Sequence, residues 1–317
     1  MSTKHLLDPE LHPMTNVFPE GMTFTAEMLP SFRAMQAAAQ VSGDAAAAKV
    51  SREEVFAAAS DDHRVRCLLY CPESVNASRG AYLHIHGGGY ILGAADDADA
   101  MNIALAAALD IVVLSVDYRL APEAPIPAPL EDCYGGLAWL HEHAERLGVD
   151  RNRIAIGGES AGGGLAAALA ILARDRGEYR ICHQHLTYPM LDNRTGTPGH
   201  EGDPLVGEFV WTRDFNQFGW QSYLGDAAAV APQVPARLER FEGLPPTWLL
   251  TAALDLFRDE NIDYAQRLLK AGVATELVLY PGACHGFQMV TDAALSKRYL
   301  RDHRAALGRA LSANPPH

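Results

Sequence analysis

Short apolar runs rich in Val, Ile, Leu and Tyr recur along the chain: VRCLLYC at 65–71, AYLHIH at 81–86, IVVLSV at 111–116, IAIG at 154–157, HLTY at 185–188, TWLLTA at 247–252 and ELVLY at 276–280. Runs of this length and residue type predict strands. From the third run onward, helical patterns fall between them, at about 97–109, 130–147, 161–175, 259–271 and 291–311. Strands alternating with helices predict an α/β protein with a mostly parallel sheet and helices on both faces.

Two stretches depart from that alternation. The first 50 or so residues give helical patterns, clearest at 25–40, and no strand, so they are expected to form an appendage. Residues 190–235 lie between two strands and hold Phe209, Trp211, Phe215, Phe218, Trp220 and Tyr223. A parallel crossover needs far less aromatic surface, which predicts an inserted lid. The expected division is therefore 1–50 as part of a cap, 51–189 as the first part of a core, 190–235 as the cap insertion and 236–317 as the rest of the core. The tail at 314–317 is expected to fray.

Composition narrows the class. With 317 residues, 48% hydrophobic and 21% charged, the chain can bury a large core. A net charge of -13, with no run of Lys or Arg, makes nucleic acid and anionic membranes poor partners. The N-terminus MSTKHLLDPELHPM lacks the apolar core of a signal peptide. The longest apolar run, Leu165 to Ala173, falls far short of the roughly 20 residues that span a bilayer. Five scattered cysteines with no CxxC pair suggest free thiols, and a cytoplasmic location is expected.

The sharpest chemical signal is Gly158-Glu159-Ser160-Ala161-Gly162, between the strand IAIG and the helix starting near Ala161. It matches GxSxG in the strand–turn–helix context that the motif demands. So tight a turn leaves no room for side chains beside the serine, whose hydroxyl projects above the sheet edge at a helix N-terminus that favours negative charge. Composition alone would give the string about 0.1 times in this chain, so context carries the inference.

A second signal, His86-Gly87-Gly88-Gly89-Tyr90, follows directly on the strand AYLHIH. Consecutive glycines let backbone N–H groups face a ligand uncovered. The N–H groups of Gly88, Gly89 and Ala161 are expected to form an oxyanion hole.

A serine hydroxyl needs a base, and the base an orienting acid. On such an elbow the chain order is serine, acid, histidine. Asp255 follows the strand TWLLTA, and His285 follows ELVLY, both at the sheet edge where Ser160 sits. Asp259 and Glu260 compete for the acid role but fall inside the next helical pattern.

Other residues are weaker candidates. His84 with His86, and His183 with His185, have a two-residue spacing that places ligands on one strand face, but no further ligands at metal-site spacing accompany them. His141 and His143 on a helix point about 200° apart. No metal and no cofactor are expected. Cys284, beside His285, sits at no elbow and is expected to be a buried, inert thiol. For Glu159 the sequence gives no preference between a buried, partnered carboxylate and a solvated one.

Together these motifs resemble the hormone-sensitive-lipase-like esterases, the bacterial family IV carboxylesterases of the α/β-hydrolase fold. The resemblance spans about 60–290 and rests on HGGGY at 86–90, DYRLAPE at 117–123, GESAGG at 158–163, the segment 255–260 and His285-Gly286-Phe287, all in family order. It implies an eight-stranded sheet, a helical cap built from the N-terminal segment and 190–235, and hydrolysis of short- to medium-chain acyl esters. It further implies that Asp117, Arg119 and Glu123 make polar contacts behind the oxyanion loop, and it favours a homodimer paired through the last strand and its neighbouring helix. The chain departs from the family pattern at Glu159, where Asp or Thr is commoner, at DLFRDE in place of DPLRDE, and at APIPAPLED, which lacks the usual His and Phe.

The expected protein is a cofactor-free serine carboxylesterase acting on small-molecule acyl esters. Ser160 is its nucleophile, His285 the base and Asp255 the orienting acid. Tyr90, Phe209, Trp211 and Phe215 either line the acyl pocket and limit chain length or pack the lid's own core. The same triad would serve an amide, lactone or carbamate, and the scaffold could also carry a non-catalytic receptor.

Overall fold

Residues 2–18, 21–74 and 78–312 are described in a computed structural model; the tail at 314–317, expected to fray, lies outside the described residues. Eight strands form one sheet: β1 (Val50–Ala58), β2 (Arg64–Pro72), β3 (Arg79–Ile85), β4 (Val112–Val116), β5 (Val149–Glu159), β6 (His183–Thr187), β7 (Thr247–Ala252) and β8 (Thr275–Tyr280). Their order is β1-β2-β4-β3-β5-β6-β7-β8. β1 and β2 pair antiparallel, as do β2 and β4, and all later pairings are parallel. β3, β4, β6 and β7 are buried along their whole length; β4 and β7 read as nearly continuous apolar runs, whereas β6, HQHLT, buries polar side chains.

β1 is the strand that the apolar pattern missed. It lies on the sheet edge with Ser51, Arg52, Glu53 and Glu54 in solvent, so nothing in its sequence alternates. Pairing with β2, from Val50 opposite Pro72 to Ala58 opposite Arg64, is what makes it a strand.

The helices are α1 (Leu29–Ala39), α2 (Asp99–Leu109), α3 (Ala128–Glu142), α4 (Ala144–Leu147), α5 (Ala161–Arg176), α6 (Arg213–Leu224), α7 (Arg258–Lys270) and α8 (Ala294–Ala310). One apolar cluster joins α3, α5 and α7 to one face of the sheet, and two others hold α2 and α8 against the opposite face. α5 runs GGGLAAALA through its buried length, and these small residues let its backbone approach the sheet closely.

The stretch 190–235 contains one α-helix, α6, and otherwise loops. Its aromatic residues meet the N-terminal segment: Phe215 lies edge-on to Phe18 and Phe24, at 5.0 and 5.2 Å between ring centroids. Among the described residues no helix is long and apolar enough to cross a membrane.

Beneath α8, the β6 histidines 183 and 185 share a buried cluster with Trp248 and His303, with His185 stacked on Trp248 at 4.3 Å. Burial pulls His183 and His303 down to about 4 from an ordinary 6.5, and pulls His185 down as well. A folded-state pKa below the unfolded one means that the unfolded chain binds more protons as pH falls below 6.5. Unfolding free energy should thus fall between neutrality and pH 5 by about 2 kcal/mol for His183 and for His303. Urea titrations at several pH values measure this, and His303→Leu should flatten the acid slope.

Candidate functional site

The turn between β5 and α5 is shaped by close approach. A methyl group placed on Gly158 or on Gly162 would lie 2.0 Å from the carbonyl oxygen of Ile85 at the end of β3, so both positions must be glycine. Ser160 between them has φ 56° and ψ -121°, a region that L-residues rarely occupy. Three backbone bonds hold it there. Its N–H donates to Thr187 O at 3.0 Å, and its carbonyl accepts from Gly164 and Met190, each at 2.9 Å.

The hydroxyl that this turn presents meets an imidazole. Ser160 Oγ and His285 Nε2 are 2.9 Å apart, and His285 Nδ1 lies 2.7 Å from Asp255 Oδ2. All three residues are at least nine-tenths buried. The second carboxylate oxygen, Asp255 Oδ1, accepts the Phe257 N–H at 2.9 Å, which fixes the carboxylate plane. The two loops are stitched together, Ala253 N–H donating to Tyr280 O and Leu254 N–H to Ala283 O.

The structure separates Asp255 from its rivals. Asp259 is half exposed and pairs with its neighbour Arg258. Glu260 turns to the base of the 190–235 stretch, where it accepts the N–H groups of Leu191 and Asp192 and the hydroxyl of Thr195. Burial holds the Glu260 carboxyl well above the usual range.

The glycine loop lies against the elbow. A methyl on Gly87 would come within 3.0 Å of Glu159 O and 3.5 Å of Ser160 Cβ. The Gly88 carbonyl accepts from both Ile91 and Leu92, while the N–H groups of Gly88, Gly89 and Ala161 donate to no acceptor among the described residues. His86 supports the loop from below: its ring stacks on Tyr118 at 4.1 Å, its Nδ1–H donates to Gly87 O, and its own carbonyl accepts the Tyr118 hydroxyl. The DYRLAPE side chains spread behind this loop. Asp117 accepts the Ala95 N–H and pairs with Arg66, Arg119 pairs with Asp132 and Asp61, and Glu123 pairs with Arg33.

Of the four aromatic candidates, Trp211 alone meets both the loop and the histidine. A methyl on Gly89 would lie 2.1 Å from its ring edge, and its ring centroid is 6.2 Å from that of His285. Its indole N–H donates to Asn216 Oδ1, which fixes the ring. Phe215 packs against Phe18 and Phe24 of the N-terminal segment, Phe209 into the cluster with Leu11 and Phe287, and Tyr90 stacks on Tyr223 at 4.0 Å with its hydroxyl donating to Met190 O. Two rings against His285 escaped the sequence reading: Tyr188 at 4.6 Å and Phe257 at 5.3 Å. Both lie within two residues of a strand end or of Asp255, and that position was the available signal.

Glu159 is a partnered carboxylate. Its Oε2 lies 3.1 Å from Nε2 of the buried His84. Burial pushes its pKa up, but His84, together with His303 and its own backbone N–H, outweighs this and leaves the carboxyl below its usual range. Cys284 is buried and its thiol is pushed up to about 12. Among the described residues no group of three or more His, Cys, Asp or Glu is placed to hold a metal ion.

Comparison with known proteins gives a consistent picture. A family model described as the alpha/beta hydrolase fold matches residues 82–289. The chain is 36% identical over 222 residues to the esterase LipI of Mycobacterium tuberculosis, covering 68% of each chain. It is 36% identical over 232 residues to the carboxylesterase NlhH of the same species, covering 71% of this chain and 73% of that one. Among solved structures, a bacterial heroin esterase superposes with a TM-score of 0.89 at 38% identity, over 98% of this chain and 100% of the other.

Because a side chain at Gly89 would drive Trp211 off the loop, Gly89→Ala should lower kcat by about 10²–10³, the effect of losing one oxyanion donor, which is the role expected of its N–H from the sequence. Steady-state kinetics on p-nitrophenyl butyrate checks this, and an unchanged kcat would contradict the placement of the loop.

Proposed function

We propose, for a chain that belongs to the hormone-sensitive-lipase-like family of α/β hydrolases and is a carboxylic ester hydrolase, that Ser160 is the nucleophile, His285 the general base and Asp255 the acid that orients it. The observation that carries this reading is the unbroken series Ser160 Oγ, His285 Nε2, His285 Nδ1, Asp255 Oδ2, linked at 2.9 and 2.7 Å.

His285 takes the proton from Ser160 as the hydroxyl attacks the ester carbonyl, and Asp255 holds the imidazole in the tautomer that can accept it. The carbonyl oxygen, now negative, is received by the unpartnered N–H groups of Gly88, Gly89 and Ala161. His285 returns the proton to the departing alcohol, leaving an acyl-serine. Water deprotonated by the same histidine attacks this ester, and collapse of the second tetrahedral intermediate releases the acid.

Trp211 forms the wall of the acyl pocket, with Phe215 edge-on behind it at 6.0 Å between ring centroids, and the substrates are esters of short to medium acids. The N-terminal segment to residue 50 and the stretch 190–235 together form the cap. A second copy of the chain pairs along β8, an edge strand that leaves Leu277 and Leu279 about 40% exposed on one face. The five unpaired thiols support a reducing, cytoplasmic setting.

Hydrolysis of p-nitrophenyl esters from acetate to palmitate tests the reading. The rate should peak at short chains and drop by about 10⁵-fold or more in Ser160→Ala. Trp211→Ala should shift the optimum to longer acyl chains, and an unchanged profile would remove Trp211 from the pocket.

A further inference from the structure

The N-terminal helix α1 is more than an appendage, because one of its faces grips the glycine loop from outside. Arg33 donates through Nε to Ile91 O at 2.9 Å and through Nη2 to Ala121 O at 3.0 Å. The same guanidinium holds both carboxylate oxygens of Glu123, at 2.8 and 2.9 Å. One turn further along, Gln36 Oε1 accepts the Gly93 N–H at 3.1 Å while its Nε2 donates to Asp97 at 2.8 Å. Residues three apart share a helix face, so both ends of the segment 91–93 are tied to one side of α1.

That segment closes the loop on itself. Ile91 and Leu92 both donate to the carbonyl of Gly88, and Ala121 donates to the carbonyl of Tyr90. Gly88 and Gly89 have φ of 118° and 60°, where glycine is free to leave as easily as to stay. Arg33 bonds the carbonyls of Ile91 and Ala121, on the two segments that the Ala121–Tyr90 bond joins. It is a cross-link built from charge-assisted and bidentate bonds, which are the stronger kind and which the single ammonium of a lysine cannot reproduce.

We propose that Arg33 is a positioning residue for ester hydrolysis: it locks the loop so that the Gly88 and Gly89 N–H groups face the reacting carbonyl before substrate arrives. The inference rests on the oxyanion-hole reading above. Preset donors act on the charge that develops in the transition state and only weakly on the ground-state ester. Loosening them should therefore lower kcat and spare KM.

Four variants separate this role from simple stability: Arg33→Met, Arg33→Lys, Glu123→Gln and, as a control, Met35→Ala, an exposed residue on the same helix. For each, kcat and KM on p-nitrophenyl butyrate, the inhibition constant of n-butylboronic acid, which forms a tetrahedral adduct on the serine, and the melting midpoint are measured. Arg33→Met should lose about tenfold or more in kcat with KM within about twofold, well below its melting midpoint, and boronate inhibition should weaken by the same factor. Arg33→Lys should recover part of the loss, Glu123→Gln should show a smaller loss in the same two quantities, and Met35→Ala should match the parent. If Arg33→Met does not fold, Arg33→Lys and Glu123→Gln carry the test. Equal kcat in the Arg33 variants and Met35→Ala, or a fall in kcat without a change in boronate inhibition, overturns the inference. Failure of the parent enzyme to bind the boronate overturns the oxyanion-hole reading instead.

Discussion

The end of β3 is pinched between two glycines, and most of the site follows from that contact. Gly158 closes β5 and Gly162 opens the first turn of α5, and each backbone passes the Ile85 carbonyl too closely for a methyl group. With the turn pressed there, Ser160 has no ordinary backbone conformation available, and its hydroxyl must project beyond the sheet edge. The next residues after Ile85 are His86 and the glycines, so the same contact brings the first of them, Gly87, alongside the serine. Strain at Ser160 is offset by the bonds it makes on both sides, to β6 through Thr187 and to the start of the 190–235 stretch through Met190.

Sequence made the parallel core and the motifs legible because both depend on local rules. A strand buried on both faces is largely apolar, as β4 and β7 are, and an elbow must have glycine two residues to either side of its serine. The chain order of serine, acid and histidine then pointed to Asp255 and His285, which the sheet brings together. Properties that depend on pairing were less visible. β1 is an edge strand with charged side chains in solvent, and only β2 defines it. The role of α1 was hidden for a related reason: Arg33 acts through backbone carbonyls 58 and 88 residues away, and no spacing along the chain signals such contacts.

Between these lie residues whose type was legible and whose task was not. Glu159 could have been solvated or partnered, and the deciding group is His84, 75 positions earlier on the neighbouring strand. The aromatic residues of 190–235 were expected either to line a pocket or to pack the lid. Their contacts differ: Trp211 lies against the glycine loop and His285, while Phe215 packs against the N-terminal phenylalanines. Tyr188 and Phe257 reach His285 because a strand end and the residues following Asp255 both converge on it. A convergent site of this kind becomes visible only once the strands are in register.

The central claim is that Ser160 alone is activated, through His285 and Asp255, among all the hydroxyls and thiols of the chain. Mass spectrometry of the protein after reaction with a p-nitrophenyl alkylphosphonate tests it most directly, since the reagent phosphonylates an activated serine. The account predicts one adduct, on the peptide that contains Ser160, and none when His285 is replaced by alanine. An adduct on Cys284 or another residue, or labelling of Ser160 that persists without His285, would contradict it.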